Sequence, residues 1–145
     1  MNQDFVDLLR TFAEADVRFL IVGAYALAIH AKPRATGDLD VWVEPTPENA
    51  HRVIQALTLF GAPLDQVSEA DFARPGLVFQ VGLPPRRIDI LTELTGLSYS
   101  DAWADRATHR VADLDVGFLG RRSLIVNKRA TGRAQDLADL ESLGE

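Results

Sequence analysis

The spacing of apolar positions changes from helical to strand-like within the first part of the chain. Between Asp4 and Ala15 the apolar residues recur every three or four positions, which is typical of an amphipathic helix. Residues 17–22, Val-Arg-Phe-Leu-Ile-Val, are β-branched or aromatic and end at Gly23, so they predict a buried strand closed by a tight turn. Residues 25–30 consist largely of helix formers and stop before Pro33, which predicts a second helix.

Residues 37–43 alternate in a way that predicts a strand with one polar face. Its apolar face carries Leu39, Val41 and Val43, and its other face carries Asp38, Asp40 and Trp42. Trp42 has two interpretations, either as the wall of a pocket or as a packing residue, and packing is favoured.

The remainder of the chain continues to alternate between helical and strand-like patterns. Thr46 and Pro47 resemble a helix cap and a first-turn proline, and Ser98 or Ser100 resembles a second cap. The predicted elements are a helix over 48–60, strands over 77–81 and 87–91 paired as a hairpin, a helix over 98–107, a strand over 116–119 and a helix over 122–143. The predicted fold class is α/β (α+β), with a small mixed sheet flanked by helices in a single domain spanning residues 1–145.

Composition narrows the chemistry open to this chain. The apolar fraction of 47% and the charged fraction of 25% are those of an ordinary globular protein. Because there is no cysteine, disulfides, thiolate zinc sites and a cysteine nucleophile are excluded. The net charge of -6 argues against a protein that coats nucleic acid through many phosphate contacts.

Basic residues gather after Arg106, and two interpretations of them stay open. They form either a local basic surface or a solvated helix face interspersed with acids such as Asp136 and Asp139. The first residues include an acid and do not resemble a signal peptide, and no stretch has the length of a membrane span. A cytoplasmic location without a membrane partner is therefore expected.

Three aspartates form the strongest candidate for chemistry. As alternate residues of one strand, Asp38 and Asp40 point the same way with Cα atoms roughly 6.5 Å apart. Asp89 lies between Ile88 and Ile90 in a predicted core strand, where an unpaired charge is costly. Solvated acids at a strand end would explain the first pair alone. Together with Asp89, however, the pair predicts a site for divalent metal, since such sites are built from clustered carboxylates.

The order of these features resembles the DNA polymerase beta-like nucleotidyltransferase superfamily. The residues that carry the resemblance are Gly23-Ala24-Tyr25-Ala26, then Pro-Arg-Ala-Thr-Gly-Asp-Leu-Asp over 33–40, and later Asp89. The stretches over 23–26 and 33–40 look like the branch that includes AbiEii-type toxins of bacterial toxin-antitoxin and abortive-infection systems. Similar to that branch too are residues 124–130, Leu-Ile-Val-Asn-Lys-Arg-Ala, with Gly132-Arg133 and residues 136–140. The resemblance covers nearly the whole chain and implies the nucleotidyltransferase fold.

The resemblance also implies a role for each residue that matches it. Asp38 and Asp40 would bind the catalytic Mg²⁺ or Mn²⁺, and Asp89 would activate the acceptor hydroxyl as a metal ligand or base. The turn at Gly23 and Ala24 would bring backbone N–H groups and a helix N-terminus to the triphosphate of an NTP. The residues implied to neutralise or orient phosphate oxygens are Arg34, Thr36 and Lys128.

Two functional hypotheses follow from this resemblance. The first is an enzyme that transfers an NMP from an NTP to a hydroxyl of RNA, protein or a small molecule, as the toxin partner of a cognate antitoxin. The second is a catalytically weak nucleotide-binding or protein-interaction module, such as an antitoxin or sensor. The intact aspartates favour the first hypothesis. The second is favoured by the small size of the chain and by Ala24 and Tyr25, where the superfamily usually has Gly-Gly or Gly-Ser at the turn.

Overall fold

Helices and strands alternate along the chain, as the sequence predicts. The computed structural model describes residues 1–31, 33 and 37–145. The strands within these ranges are β1 (Phe19–Val22), β2 (Leu39–Val43), β3 (Val78–Val81), β4 (Ile88–Leu91), β5 (Ala107–Val111) and β6 (Leu114–Phe118). The helices are α1 (Gln3–Glu14), α2 (Gly23–His30), α3 (Pro47–Phe60), α4 (Glu69–Phe72), α5 (Tyr99–Ala104), α6 (Arg121–Thr131) and α7 (Ala134–Ser142).

The described strands form one mixed sheet in the order β3-β4-β2-β1-β6-β5. Chain neighbours β1 and β2, β3 and β4, and β5 and β6 pair antiparallel, whereas β2 with β4 and β1 with β6 pair parallel. The predicted mixed sheet and the predicted β3–β4 hairpin are therefore confirmed. In this register Asp40 lies opposite both Val22 of β1 and Asp89 of β4. Two of the candidate aspartates are thus neighbours at the centre of the sheet.

The structure confirms the predicted apolar stripe of α1 and the predicted cap of α3. The four apolar residues of α1 that share the helical spacing are fully buried: Phe5, Leu8, Leu9 and Phe12. Helix α3 begins at Pro47, and the Thr46 side chain accepts a hydrogen bond from the Asn49 N–H at 3.3 Å, which is the predicted N-cap. Gly61 ends α3 in the left-handed conformation with φ 91°.

The C-terminal helix and the strand before it differ from the prediction. The single helix expected over 122–143 is wrong, because Gly132 adopts φ 61° and separates α6 from α7. Strand β5 was not predicted, and its first residue falls inside the helix expected over 98–107. The three central residues of β5 are polar and exposed, so it shows no buried alternation. Among the described residues, no helix is long and apolar enough to cross a membrane.

The base of the β5–β6 hairpin is closed by Asp105. Helix α6 begins after Gly120, which offers no side chain as a cap. The Asp105 carboxylate takes that role, since its Oδ2 accepts hydrogen bonds from the Ser123 N–H at 3.0 Å and from the Ser123 hydroxyl at 2.8 Å. A side chain at position 120 would collide with the Asp105 carbonyl oxygen. This contact links the residue after α5 to the first turn of α6.

Candidate functional site

The sheet brings the candidate aspartates to one end of its central strands. Asp40 and Asp89 are directly opposite each other on the parallel strands β2 and β4, and Asp38 immediately precedes β2. The Leu39 N–H donates to the Arg87 carbonyl at 3.1 Å, which extends the pairing towards Asp38. Parallel pairing places residues 38 and 40 beside residues 87 and 89. The charged residues that alternate along each strand therefore form one cluster.

Arg87 belongs to this cluster and was missed by the sequence analysis. Its Nη2 lies 2.7 Å from Asp38 Oδ2, and its Nε lies 3.2 Å from Asp89 Oδ1. Arg87 thus supplies part of the positive charge that a buried Asp89 was expected to need. The signal was present in the sequence, because Arg87 and Asp89 are alternate residues of a strand and so share a face.

The cluster still carries more negative than positive charge. Burial, followed by repulsion from Asp89 and Asp38, raises the pKa of Asp40 to about 6, although Arg87 acts in the opposite direction. Asp89 is 8% exposed, and its Oδ1 accepts no hydrogen bond from the described residues. The nearby Arg87 Nε is close enough for an ion pair but is not aligned to donate a hydrogen bond. These carboxylates would be stabilised by additional positive charge.

The donor set fits a hard divalent cation. Mg²⁺ and Mn²⁺ prefer carboxylate oxygens, and Asp38, Asp40 and Asp89 would hold such an ion. Within the described ranges, however, no group of three or more His, Cys, Asp or Glu side chains is already arranged to hold a metal. Arg87 contacts two of the three carboxylates, so it competes with a metal for their oxygens.

Gly23 allows the backbone to approach Asp40 closely. Helix α2 starts at this residue with φ 67°, a conformation that favours glycine. A Cβ atom here would collide with Asp40 Oδ2. No side chain caps the first turn of α2, which includes Ala24. The first-turn N–H groups are therefore not used by a capping side chain. Phosphate binding by this turn requires that these groups be available.

A cleft of about 650 Å³ lies beside Gly23 and Asp40. The sheet and the loop after β4 contribute Val78, Leu91, Glu93, Leu94 and Thr95, and the C-terminal part contributes Asn127, Lys128, Ala130, Thr131 and Arg133. The remaining predicted phosphate ligands, Arg34 and Thr36, lie outside the described residues. The cleft therefore joins Asp40 to the end of α6 and the start of α7.

Lys128 is buried between α6 and α7 rather than exposed on a helix face. Its side chain is 7% exposed, and its Nζ lies 3.0 Å from Asp139 Oδ2 and 3.3 Å from Asp136 Oδ1. The interpretation of Lys128 as a solvated surface charge is therefore wrong, because the turn at Gly132 folds α7 back over it. Arg129 and Arg133 do lie on the surface, with Glu145 and Asp136 as partners. Nucleotide binding by Lys128 stays a prediction.

Trp42 is a packing residue. It is 2% exposed, and its ring packs edge-on against Tyr99 with 4.9 Å between ring centroids. Of the two interpretations, packing is therefore confirmed. Trp42 supports the far end of β2 and lies among the core residues rather than along the cleft.

Comparison with solved structures identifies the fold. No protein-family model matches the sequence, and no curated protein matches it. One similar structure is TM1012 from Thermotoga maritima, a candidate nucleotidyltransferase, with a TM-score of 0.60 at 12% identity over 99% of this chain and 92% of that one. Another is the lincosamide antibiotic adenylyltransferase LnuA bound to lincomycin, with a TM-score of 0.57 at 12% identity over 100% and 97%. The chain has the nucleotidyltransferase fold.

Proposed function

We propose that this protein is a metal-dependent nucleotidyltransferase that moves an NMP from an NTP to a hydroxyl acceptor. The observation that carries the proposal is the pairing of Asp40 with Asp89 beside Gly23, at a cleft of a chain with the nucleotidyltransferase fold. In the expected chemistry the acceptor oxygen attacks the α-phosphorus in line, the bond to the β-phosphate oxygen breaks, and pyrophosphate leaves.

The proposal gives each candidate residue a role. Asp38 and Asp40 hold Mg²⁺ or Mn²⁺, and Asp89 holds the metal or accepts the proton of the acceptor hydroxyl. When bound, the metal supplies positive charge that offsets the negative charge developing on the phosphoryl oxygens. Backbone N–H groups at Gly23 and Ala24 bind phosphate oxygens. The side chains proposed to orient the remaining phosphate oxygens are Arg34, Thr36 and Lys128.

The acceptor and the biological setting belong to the same proposal. A hydroxyl of RNA, of a protein or of a small molecule is the acceptor, and the protein acts in the cytoplasm as the toxin of a toxin-antitoxin pair with a cognate antitoxin. The similarity of residues 124–140 to AbiEii-type toxins supports the toxin role. The fold of LnuA, whose name describes adenylyl transfer to an antibiotic, supports a small-molecule acceptor.

A second function is favoured by one specific observation. The 2.7 Å ion pair between Arg87 and Asp38 engages a carboxylate that catalysis would assign to metal. Together with Ala24 where the superfamily usually has Gly or Ser, this supports a catalytically weak module that binds a nucleotide or a protein partner, as a sensor or antitoxin.

A label-transfer experiment separates these functions. Purified protein is incubated with Mg²⁺, a cell extract and each NTP labelled at either the α- or the γ-phosphate. Nucleotidyl transfer predicts that the α-label, but not the γ-label, becomes attached to an acceptor. Asp89→Asn should reduce this transfer by on the order of a hundredfold or more, whereas Asp65→Asn, an exposed acid outside the cleft, should leave it unchanged. Metal-dependent NTP binding without transfer supports the nucleotide-binding module, and the absence of both binding and transfer contradicts the enzyme and the nucleotide-binding module alike.

A further inference from the structure

The cleft beside Asp40 has two cationic side chains among the described residues that line it. These are Lys128 and Arg133, which lie on either side of the turn at Gly132. They differ sharply in access to solvent, since the Lys128 side chain is 7% exposed and that of Arg133 is 73% exposed. A ligand entering the cleft therefore meets the guanidinium of Arg133 more readily than the ammonium of Lys128.

Lys128 is committed to two buried carboxylates. Its partners Asp136 and Asp139 have side chains that are 0% and 3% exposed. Moving the ammonium towards a ligand would leave these carboxylates with less compensating charge in a buried environment, which is strongly unfavourable. Lys128 therefore keeps a fixed position in the cleft lining, with its charge offset by the two carboxylates.

Arg133 is held in a defined orientation at the cleft. Its Nε and Nη2 lie 2.7 and 3.2 Å from the two oxygens of Asp136, and its backbone N–H donates to Asp136 Oδ2 at 3.1 Å. This contact uses one edge of a planar group that has five N–H donors. Because Asp136 is itself fixed by Lys128, the other donors are directed without a large loss of side-chain freedom when a ligand binds.

We infer that Arg133 binds the β- and γ-phosphates of the nucleotide and thereby sets the preference for a triphosphate over a monophosphate. The inference rests on the proposed function, in which the three aspartates act at the α-phosphorus. In addition to the groups already proposed to bind phosphate oxygens, the exposed, oriented guanidinium that follows α6 offers a cation to the outer phosphates. Guanidinium groups form charge-assisted, often bidentate hydrogen bonds with phosphate oxygens.

The test compares binding of triphosphates and monophosphates by calorimetry in Mg²⁺. The ligands are each of the four NTPs, the corresponding NMPs and inorganic tripolyphosphate. Arg133→Gln should weaken the binding of the preferred NTP and of tripolyphosphate by on the order of tenfold, and should change NMP binding less than twofold. Arg129→Gln is the matched control, because Arg129 is an exposed α6 residue with an acidic partner but does not line the cleft.

The ratio of NTP to NMP affinity distinguishes a loss of phosphate binding from a general loss of folded protein. A partly unfolded variant binds both ligands less well, so destabilisation alone does not change this ratio, and melting curves record it separately. If Arg133→Gln weakens NTP and NMP equally, or changes neither, the assignment of Arg133 is overturned while the proposed function stands. If the wild-type protein binds no NTP at all, the proposed function fails together with the inference.

Discussion

Gly23 and Asp40 are in close contact, and this contact depends on the backbone conformation of Gly23 and on its lack of a side chain. Replacing Gly23 by alanine introduces a residue with φ 67° and a Cβ atom that collides with Asp40 Oδ2. The left-handed conformation alone costs an L-residue roughly 1 to 2 kcal/mol. We therefore expect Gly23→Ala to reduce the free energy of unfolding by more than that amount, as measured by urea denaturation.

Gly61→Ala is the matched control for this prediction. Gly61 also has a positive φ, of 91°, but an added Cβ atom would meet nothing within 4 Å. The excess cost of Gly23→Ala over Gly61→Ala therefore measures the collision, and it should shrink when Asp40 is also replaced by alanine. Equal costs for the two glycine variants would show that position 23 has room for a side chain.

Asp40 itself is predicted to be a functional rather than a stabilising residue. It is partly buried near two other carboxylates, so neutralising it relieves repulsion and desolvation. We expect Asp40→Asn to melt at the same temperature as the wild type or higher in chelator, and to show a smaller upward shift in millimolar Mn²⁺. Metal bound only by the native state adds about 2.7 kcal/mol at a hundredfold excess over Kd. A variant destabilised in chelator that keeps the full Mn²⁺ shift would instead make Asp40 a structural residue.

Helices α6 and α7 depend on a buried ion network. Removing Lys128 leaves Asp136 and Asp139 buried without their shared ammonium, and loss of one partner of a buried pair typically costs about 3 to 5 kcal/mol. We expect this loss in the unfolding free energy of Lys128→Met. Arg129→Met removes a mainly exposed partner of Glu145 and should cost about 1 kcal/mol or less. Similar costs for the two variants would contradict the structural role of Lys128.

The same network predicts a dependence of stability on acid. Hydrogen bonding to Arg133 lowers the pKa of Asp136 well below its usual range, with smaller contributions in the same direction from Thr131 and Lys128, while burial opposes the shift. Because the folded pKa is below the unfolded value of about 3.9, this stabilisation is complete above that pH and is lost as the pH falls below it. Urea denaturation at several acidic pH values should show this decline in the wild type. Asp136→Asn should have a flatter profile, and an equally steep one would assign the decline to other acids.

At the scale of elements, predictability followed the strength of the apolar pattern. The stripe of α1 and the alternation of β2 gave correct elements because burial selects those periods. The break at Gly132 was hidden, since Ala130, Ala134 and Leu137 keep a helical spacing across it. Strand β5 was hidden because it is polar and exposed at the edge of the sheet.

In the candidate site, features set by neighbouring residues in the sequence could be predicted, and contacts between distant residues could not. Alternation within a strand placed Asp38 and Asp40 together, and an acid between isoleucines marked Asp89. The ion pair of Arg87 with Asp38 depends on the register between β2 and β4, which no local pattern specifies. The burial of Lys128 depends on how α7 folds back on α6.

At the scale of the whole molecule, the cleft is assembled from distant parts of the chain. Its described lining comes from three separate parts of the chain: Val22, Gly23 and Asp40, then Val78, Leu91 and residues 93–95, and then Asn127, Lys128, Ala130, Thr131 and Arg133. These parts meet only when the sheet and the C-terminal helices are in place. We therefore expect a single cooperative unfolding transition, as for one domain. Differential scanning calorimetry should give equal calorimetric and van't Hoff enthalpies. A calorimetric enthalpy well above the van't Hoff value would show that parts of the chain unfold independently.

The contact between Asp105 and Ser123 holds the two ends of the β5–β6 hairpin together, so the turn of the hairpin is a place for an insertion. Strand β6 itself pairs with β1 and buries Val116 and Phe118, so the strands must be kept. The hairpin turns at Ala112 and Asp113, and no described residue between 105 and 123 lines the cleft. A reporter domain or affinity peptide could be inserted at this turn, giving a labelled protein whose candidate site keeps its native geometry.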